Sequence, residues 1–208
     1  MKIFLFSLMC LFSSVAFAQE ILTPVISVNT RNNTLLFKVD DKSKLRQCYY
    51  GEKLPEASFK GVQTTAADAY PAFGTSYVHE AALRAVHANG NTSTELIYDS
   101  HSVKNISDNI EQTVITLKDA YFPFQVKLFF NAYKNENVIE QWAEISHQEK
   151  KPVTLYNFAS SHLFVSEPTY YLTQFYGNWA EEMNMAEMQL TRGQKVLQSK
   201  LGVRADQY

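Results

Sequence analysis

The sequence predicts an all-β fold, a large antiparallel β-sandwich. Three observations carry that prediction. Short runs of alternating apolar and polar residues recur along most of the chain, turn-forming residues separate them every ten or so positions, and sustained helical periodicity is hard to find. Composition agrees: 13% aromatic residues and only seven glycines in 208 suit a β-rich extracellular domain better than a disordered or fibrous chain.

The elements follow in order. Val25 to Val28 and Thr34 to Val39 flank the polar cluster Asn29 to Asn33, which reads as a hairpin. Asp40 to Lys44 turns the chain into a third strand, Leu45 to Tyr50, and Glu52 to Asp68 reads as irregular and exposed. Ala82 to His87 and Glu95 to Val103 are predicted to pair across Asn89-Gly90-Asn91, because Asn-Gly adopts positive φ at low cost. Thr113 to Leu117 and Gln125 to Tyr133 come next. In the latter, Val126, Leu128 and Phe130 alternate with Lys127 and Phe129, so one face is buried. Val138 to Ser146, Val153 to Leu163, Tyr170 to Tyr176, Asn184 to Leu190 and Lys195 to Leu201 complete the strands. With no internal repeat, low-complexity tract or linker, residues 19–208 read as one domain.

Residues 1–18 read as a cleavable signal peptide. Lys2 precedes an apolar run from Ile3 to Val15, and Ala16-Phe17-Ala18 is a small-x-small cleavage site. The run is too short for a spanning helix, and Met9 before Cys10 is too large for a lipoprotein site. The expected location is the periplasm or outside the cell, with no membrane attachment after cleavage. The mature chain keeps one cysteine, Cys48, so no intramolecular disulfide can form, and Cys48 reads as a small apolar packing residue. Loss of Lys2 leaves 18 basic against 21 acidic residues. The basic residues are scattered, which disfavours nucleic acid as a partner.

One stretch is more specific. Tyr70-Pro71-Ala72-Phe73-Gly74-Thr75-Ser76-Tyr77-Val78-His79-Glu80-Ala81-Ala82-Leu83 is followed by Leu96-Ile97-Tyr98-Asp99-Ser100-His101. Together these resemble the N-terminal β-sandwich domain of glycoside hydrolase family 36 α-galactosidases. That pattern reads Tyr-Pro-x-aromatic-Gly-x-x-Asp-Phe-Arg-x-Pro-Ala, then a strand with Tyr-x-Ser-His. Val138 to Ile145, Pro152 to Leu155 and Gln174 to Glu182 resemble further family segments in the same order.

The resemblance implies a three-part enzyme: this sandwich (a supersandwich in the family), a (β/α)8 barrel, and a small C-terminal β domain. It also implies hydrolysis of terminal α-galactosides with retention, by an aspartate nucleophile and an aspartate acid/base on the barrel, about 5 Å apart. No residue here matches those aspartates, so no catalytic residue is assigned and the chain alone is expected to be inactive. The expected partners are α-galactoside sugars through the full-length enzyme, its own barrel, and neighbouring subunits of a homo-oligomer. The family sandwich runs on for many more residues than this chain, and Gly202 to Tyr208 halts without a solvated tail. A sandwich truncated before completion is therefore expected, with exposed sheet edges or apolar surface.

The same comparison selects the site residues. Tyr70, Pro71, Phe73 and Gly74 form the loop. Tyr77 stands at the family's aspartate and His79 at its arginine, and these two are the candidate substrate-binding residues at the entrance of a sugar pocket. Other constellations carry less. Glu140 and Glu144 around Trp142, and Glu181 and Glu182 beside Trp179, read as solvated polar faces rather than catalytic pairs. The five histidines lack metal-ligand spacing, His87 and His101 are expected to face each other across the Asn-Gly hairpin, and no cofactor is implied. The alternative function is a stand-alone carbohydrate-binding β-sandwich, with Trp142, Trp179 and the tyrosines as a stacking platform.

Overall fold

The computed structural model describes residues 23–74, 80–165, 169–178 and 180–198. The chain divides into two units at Leu163/Phe164. In the first unit, β1 (Val25–Asn29), β2 (Asn33–Val39) and β3 (Leu45–Glu52) form an antiparallel sheet in that order. A four-stranded antiparallel meander follows: β5 (Leu96–Asn105), β6 (Ile110–Asp119), β7 (Phe124–Tyr133) and β8 (Val138–His147). The short strand β4 (Leu83–Val86) pairs with β9 (Thr154–Phe158) in a separate ribbon.

Period-two patterning builds the sandwich. On β7, Phe124, Val126, Leu128, Phe130 and Ala132 are all buried, and the residues between them are not. Ile26 and Val28 of β1, with Leu35 and Phe37 of β2, close over this face in one apolar core. The Phe37 and Phe130 rings meet at 5.2 Å. At one end the sheets are tied by polar groups. The Oδ1 of Asn137 accepts from the Thr30 hydroxyl (2.5 Å) and the Asn32 amide (3.0 Å).

Turns are fixed by side chains. Asp40 accepts from the amides of Lys42 (2.9 Å) and Lys44 (2.8 Å), holding Ser43 at φ 59°. Burial pushes the Asp40 carboxyl up, but the Lys44 amide and the Arg46 guanidinium outweigh it and hold it below the usual carboxylate value.

Three strand expectations need correction. The Asn89-Gly90 turn forms, with Gly90 at φ 87° and the His87 amide bonded to the Asn91 carbonyl (2.8 Å), but it joins no hairpin. β4 pairs with β9 and β5 with β6. The cause is local: Asn89 and Asn91 accept from the amides of Asn91 (2.9 Å) and Ser93 (2.7 Å), and these bonds replace a ladder. The strand expected over Lys195 to Leu201 is not found at 195–198, and the rest of that span lies outside the described residues. In addition, Val153 to Leu163 is extended only over β9. All five β9 residues are exposed, Leu155, Tyr156 and Phe158 among them.

The second unit contains one antiparallel hairpin, β10 (Tyr171–Asn178) with β11 (Glu181–Gln189). Ala180 and Met183 take positive φ near its turn. The strand read over Asn184 to Leu190 is β11. No helix of the described residues is long and apolar enough to cross a membrane.

Candidate functional site

The residues singled out as loop-forming build a rigid base. Tyr70 is 3% exposed, and its hydroxyl donates to the Ala159 carbonyl at 2.6 Å. Burial pushes that hydroxyl up to about 12. Pro71 and Ala72 are also buried. The incoming and outgoing arms of the loop are joined at Leu83, whose side chain is fully buried. The Leu83 amide donates to the Pro71 carbonyl (3.2 Å), and its carbonyl accepts from the Phe73 amide (2.8 Å). A third bond runs from the Thr94 amide to the Phe73 carbonyl (3.0 Å).

Gly74 closes the base at φ 96°, a region that only glycine enters freely. A Cβ there would lie 2.3 Å from the Ser93 Cα. Phe73 does not join the core. It is 40% exposed, and the Arg84 guanidinium lies over its ring at 4.5 Å, with the Tyr156 ring 5.9 Å from the same group. Tyr77 and His79 lie outside the described residues. Beside the base, Gly74, Ser93, Glu95, Tyr121 and Phe122 line an open cavity of about 390 Å³, within the size range of small-molecule sites. Replacing Tyr70 by phenylalanine is expected to cost about 1–2 kcal/mol, because the partly buried Ala159 carbonyl loses a donor. A denaturant melt of the purified chain measures this.

The glutamates beside tryptophan stand where alternation puts them. Glu140, Trp142 and Glu144 share the outer face of β8, opposite Asn131, Phe129 and Lys127 of β7. The two carboxylates are exposed, and their Cα atoms are about 13 Å apart along the strand with the indole between them. Retaining glycoside hydrolysis needs carboxylates about 5 Å apart. Glu140 is nonetheless oriented: its Oε2 accepts from Asn131 Nδ2 (2.9 Å) and from the Tyr133 hydroxyl (3.0 Å). That bond to Glu140 raises the Tyr133 hydroxyl above its ordinary value. Glu181 and Glu182 are exposed on β11, and Trp179 lies outside the described residues.

The main feature missed by sequence reasoning is a buried network at the end of β4. His87 Nδ1 lies 2.7 Å from Glu149 Oε1, and its Nε2 lies 3.0 Å from the Thr94 hydroxyl. Glu149 Oε2 accepts from the Ala88 amide at 2.7 Å. The ring stacks on Phe122 at 3.9 Å. The side chains of His87 and Glu149 are 0% and 5% exposed. His87 therefore does not face His101, which instead pairs with the Tyr98 hydroxyl (2.7 Å). A signal was available: Leu83, Ala85 and His87 alternate onto the buried face. Cys48 is half-buried, and burial pushes its thiol up, away from nucleophilic character.

Comparison with protein-family models matches residues 43–207 to the glycosyl hydrolase family 36 N-terminal domain. Comparison with curated proteins gives no match. Among solved structures, the chain is similar to the galactosidase domain of the α-galactosidase–sucrose kinase AgaSK, at 20% identity and a TM-score of 0.70, over 81% of this chain and 28% of that one. It is similar to a variant of the α-galactosidase AgaA from Geobacillus stearothermophilus in complex with raffinose (17% identity, TM-score 0.67, 82% of this chain and 28% of that one). An α-galactosidase from Lactobacillus brevis matches at 18% identity and a TM-score of 0.64, over 81% of this chain and 28% of that one. At these identities the likeness is one of fold. The chain spans 28% of the length of each of these three structures.

Proposed function

Because the chain belongs to the glycosyl hydrolase family 36 N-terminal domain family, we propose that it is the N-terminal β-sandwich of a secreted or periplasmic α-galactosidase that hydrolyses terminal α-galactosides with retention. Catalysis belongs to polypeptide outside this sequence, since the solved relatives are more than three times the length matched here. The role of this segment is packing, subunit assembly and closure of a sugar pocket. One observation carries the reading. The loop base at Tyr70, Phe73, Gly74 and Leu83 is bonded at both arms and buried at Tyr70 and Leu83, so it is a fixed mount for the five residues between Gly74 and Glu80. A binding group on a rigid base loses little freedom when it engages a ligand.

Tyr77 and His79 are the two ring side chains of that segment, each able both to stack on a sugar and to hydrogen-bond to it. Replacing both by alanine in the full-length enzyme is expected to raise KM for an α-galactoside by about tenfold, equivalent to one lost hydrogen bond to the sugar. The thermal midpoint should not change. Unchanged kinetics would remove the loop from the pocket. Export is tested separately: the N-terminus of protein from the periplasm or medium should be Gln19 or a close neighbour.

A further inference from the structure

The chain leaves β9 through Ala159 to Leu163, and the second unit opens at Phe164. This link has no strand of its own, and bonds at both its ends hold it to the first unit. The Ala159 amide donates to the Ala82 carbonyl (2.7 Å), and the Ala159 carbonyl accepts from the Tyr70 hydroxyl (2.6 Å). Three residues on, the His162 carbonyl accepts from Gln141 Nε2 of β8 (3.3 Å). The His162 ring adds a contact of its own, with the Ala69 carbonyl. Among the described residues its Nδ1 has no hydrogen-bond partner, and that atom is shut off from solvent. A buried polar nitrogen without a partner is rare in a folded protein.

We propose that His162 is an acid-sensitive latch: neutral, it holds the link at residues 159–163 against Ala69 and Tyr70, and on taking a proton at Nδ1 it lets the link go. The latch is separate from the loop at residues 75–79 and goes beyond pocket closure. Its chemistry follows from the bare nitrogen. A neutral imidazole carries one proton, and with that proton on Nε2 the buried Nδ1 is only a lone pair. The cationic ring must carry a proton on Nδ1 as well, which makes it a buried donor without an acceptor. Asp68 is the charged group that acts on the ring, and it favours the cation. Its carboxylate is already engaged by Arg46 Nη1 at 2.5 Å, and Arg46 Nε also binds Asp40 (2.8 Å). Burial outweighs the Ala69 carbonyl and Asp68 and holds the ring below the ordinary histidine value. The hold of the ring is therefore complete above the unfolded value, about 6.5, and is lost as the pH falls through the folded one. Opening the link relieves the cation by giving Nδ1 water.

Long-range proton–nitrogen spectra of the isotope-labelled full chain read the ring directly. At about pH 8 the expected form has the proton on Nε2 and none on Nδ1, and the ring should titrate below about 6.5. A proton on Nδ1 at that pH overturns the proposal, and so does titration at or above the ordinary value. Amide hydrogen exchange, corrected for its intrinsic pH dependence, reads the link through the Ala159 amide. Between about pH 7.5 and about pH 5 its protection should fall about tenfold, the equilibrium effect of one buried donor left without an acceptor. The Leu128 amide in β7 is the reference and should keep its protection. Equal loss at both positions is global unfolding and overturns a local latch. His162→Gln takes up no proton in this range, so its Ala159 protection should stay constant. A fall equal to that of the parent chain overturns the assignment to His162. If that variant does not fold, the ring spectra of the parent chain still decide.

Discussion

Replacing Gly74 by alanine is expected to destabilise the fold by about 4 kcal/mol. Two costs add. A side chain at φ 96° is held in a region that L-residues rarely enter, which costs about 1–3 kcal/mol. The added methyl also meets the Ser93 backbone, with its Cα at 2.3 Å, and overpacking of this kind costs about 1–3 kcal/mol. The Ser93 segment is itself fixed, through the Asn91 side chain and the Thr94–Phe73 bond, so it cannot move aside cheaply. Urea denaturation of the purified chain measures the loss. On the proposed reading, the same variant in the full-length enzyme should lower kcat/KM at temperatures where the fold persists, since it displaces the mount of the 75–79 loop. Gly90→Ala is the control. That residue shares the positive φ but has open space around it, so it should cost only about 1 kcal/mol.

Glu149→Ala comes next, at about 3 kcal/mol. It leaves the Ala88 amide without its acceptor and a buried His87 nitrogen without a partner, at about 1–3 kcal/mol each. It also frees the turn after β8 from β4. Glu149→Gln keeps an oxygen for Ala88 and an amide for His87, so it should cost less than half as much. A pH effect accompanies this. Burial pushes the Glu149 carboxyl up, but the hydrogen bonds from His87 and Ala88 outweigh it, and the folded-state value lies below the ordinary one. The stabilisation is therefore complete above the unfolded value, about 4.3, and is lost as the pH falls through the folded one. Melting midpoints of the parent chain should drop on that acid limb, and those of Glu149→Gln should drop less.

The sheets were legible wherever burial alternates along one strand. β7 shows this best: the positions read as inward, Val126, Leu128 and Phe130, are 0–1% exposed. Pairing was legible only between neighbours in sequence. β4 takes its partner from β9, about seventy residues later, and no local pattern near Leu83 announces Thr154 to Phe158. The Asn-Gly turn misled for a related reason: a turn motif fixes φ, not what the following strand will meet. At the site, Tyr70 and Pro71 are buried and Gly74 takes positive φ. Glu149 was illegible, because a glutamate beside Lys150-Lys151 and before Pro152 looks like any solvated turn until the fold brings His87 against it.

The clamp at Leu83 has an evolutionary consequence. Both arms of the loop are bonded at one buried residue, so the chain is already held together at the base on either side of residues 75–79. Closing a longer loop on the same base costs only about 0.6 kcal/mol per doubling of its length. A base closed in this way lets the sequence and length of the segment it carries drift at small cost to the sandwich. Tyr77 and His79, which the family resemblance sets against an aspartate and an arginine, are the kind of exchange such a base permits.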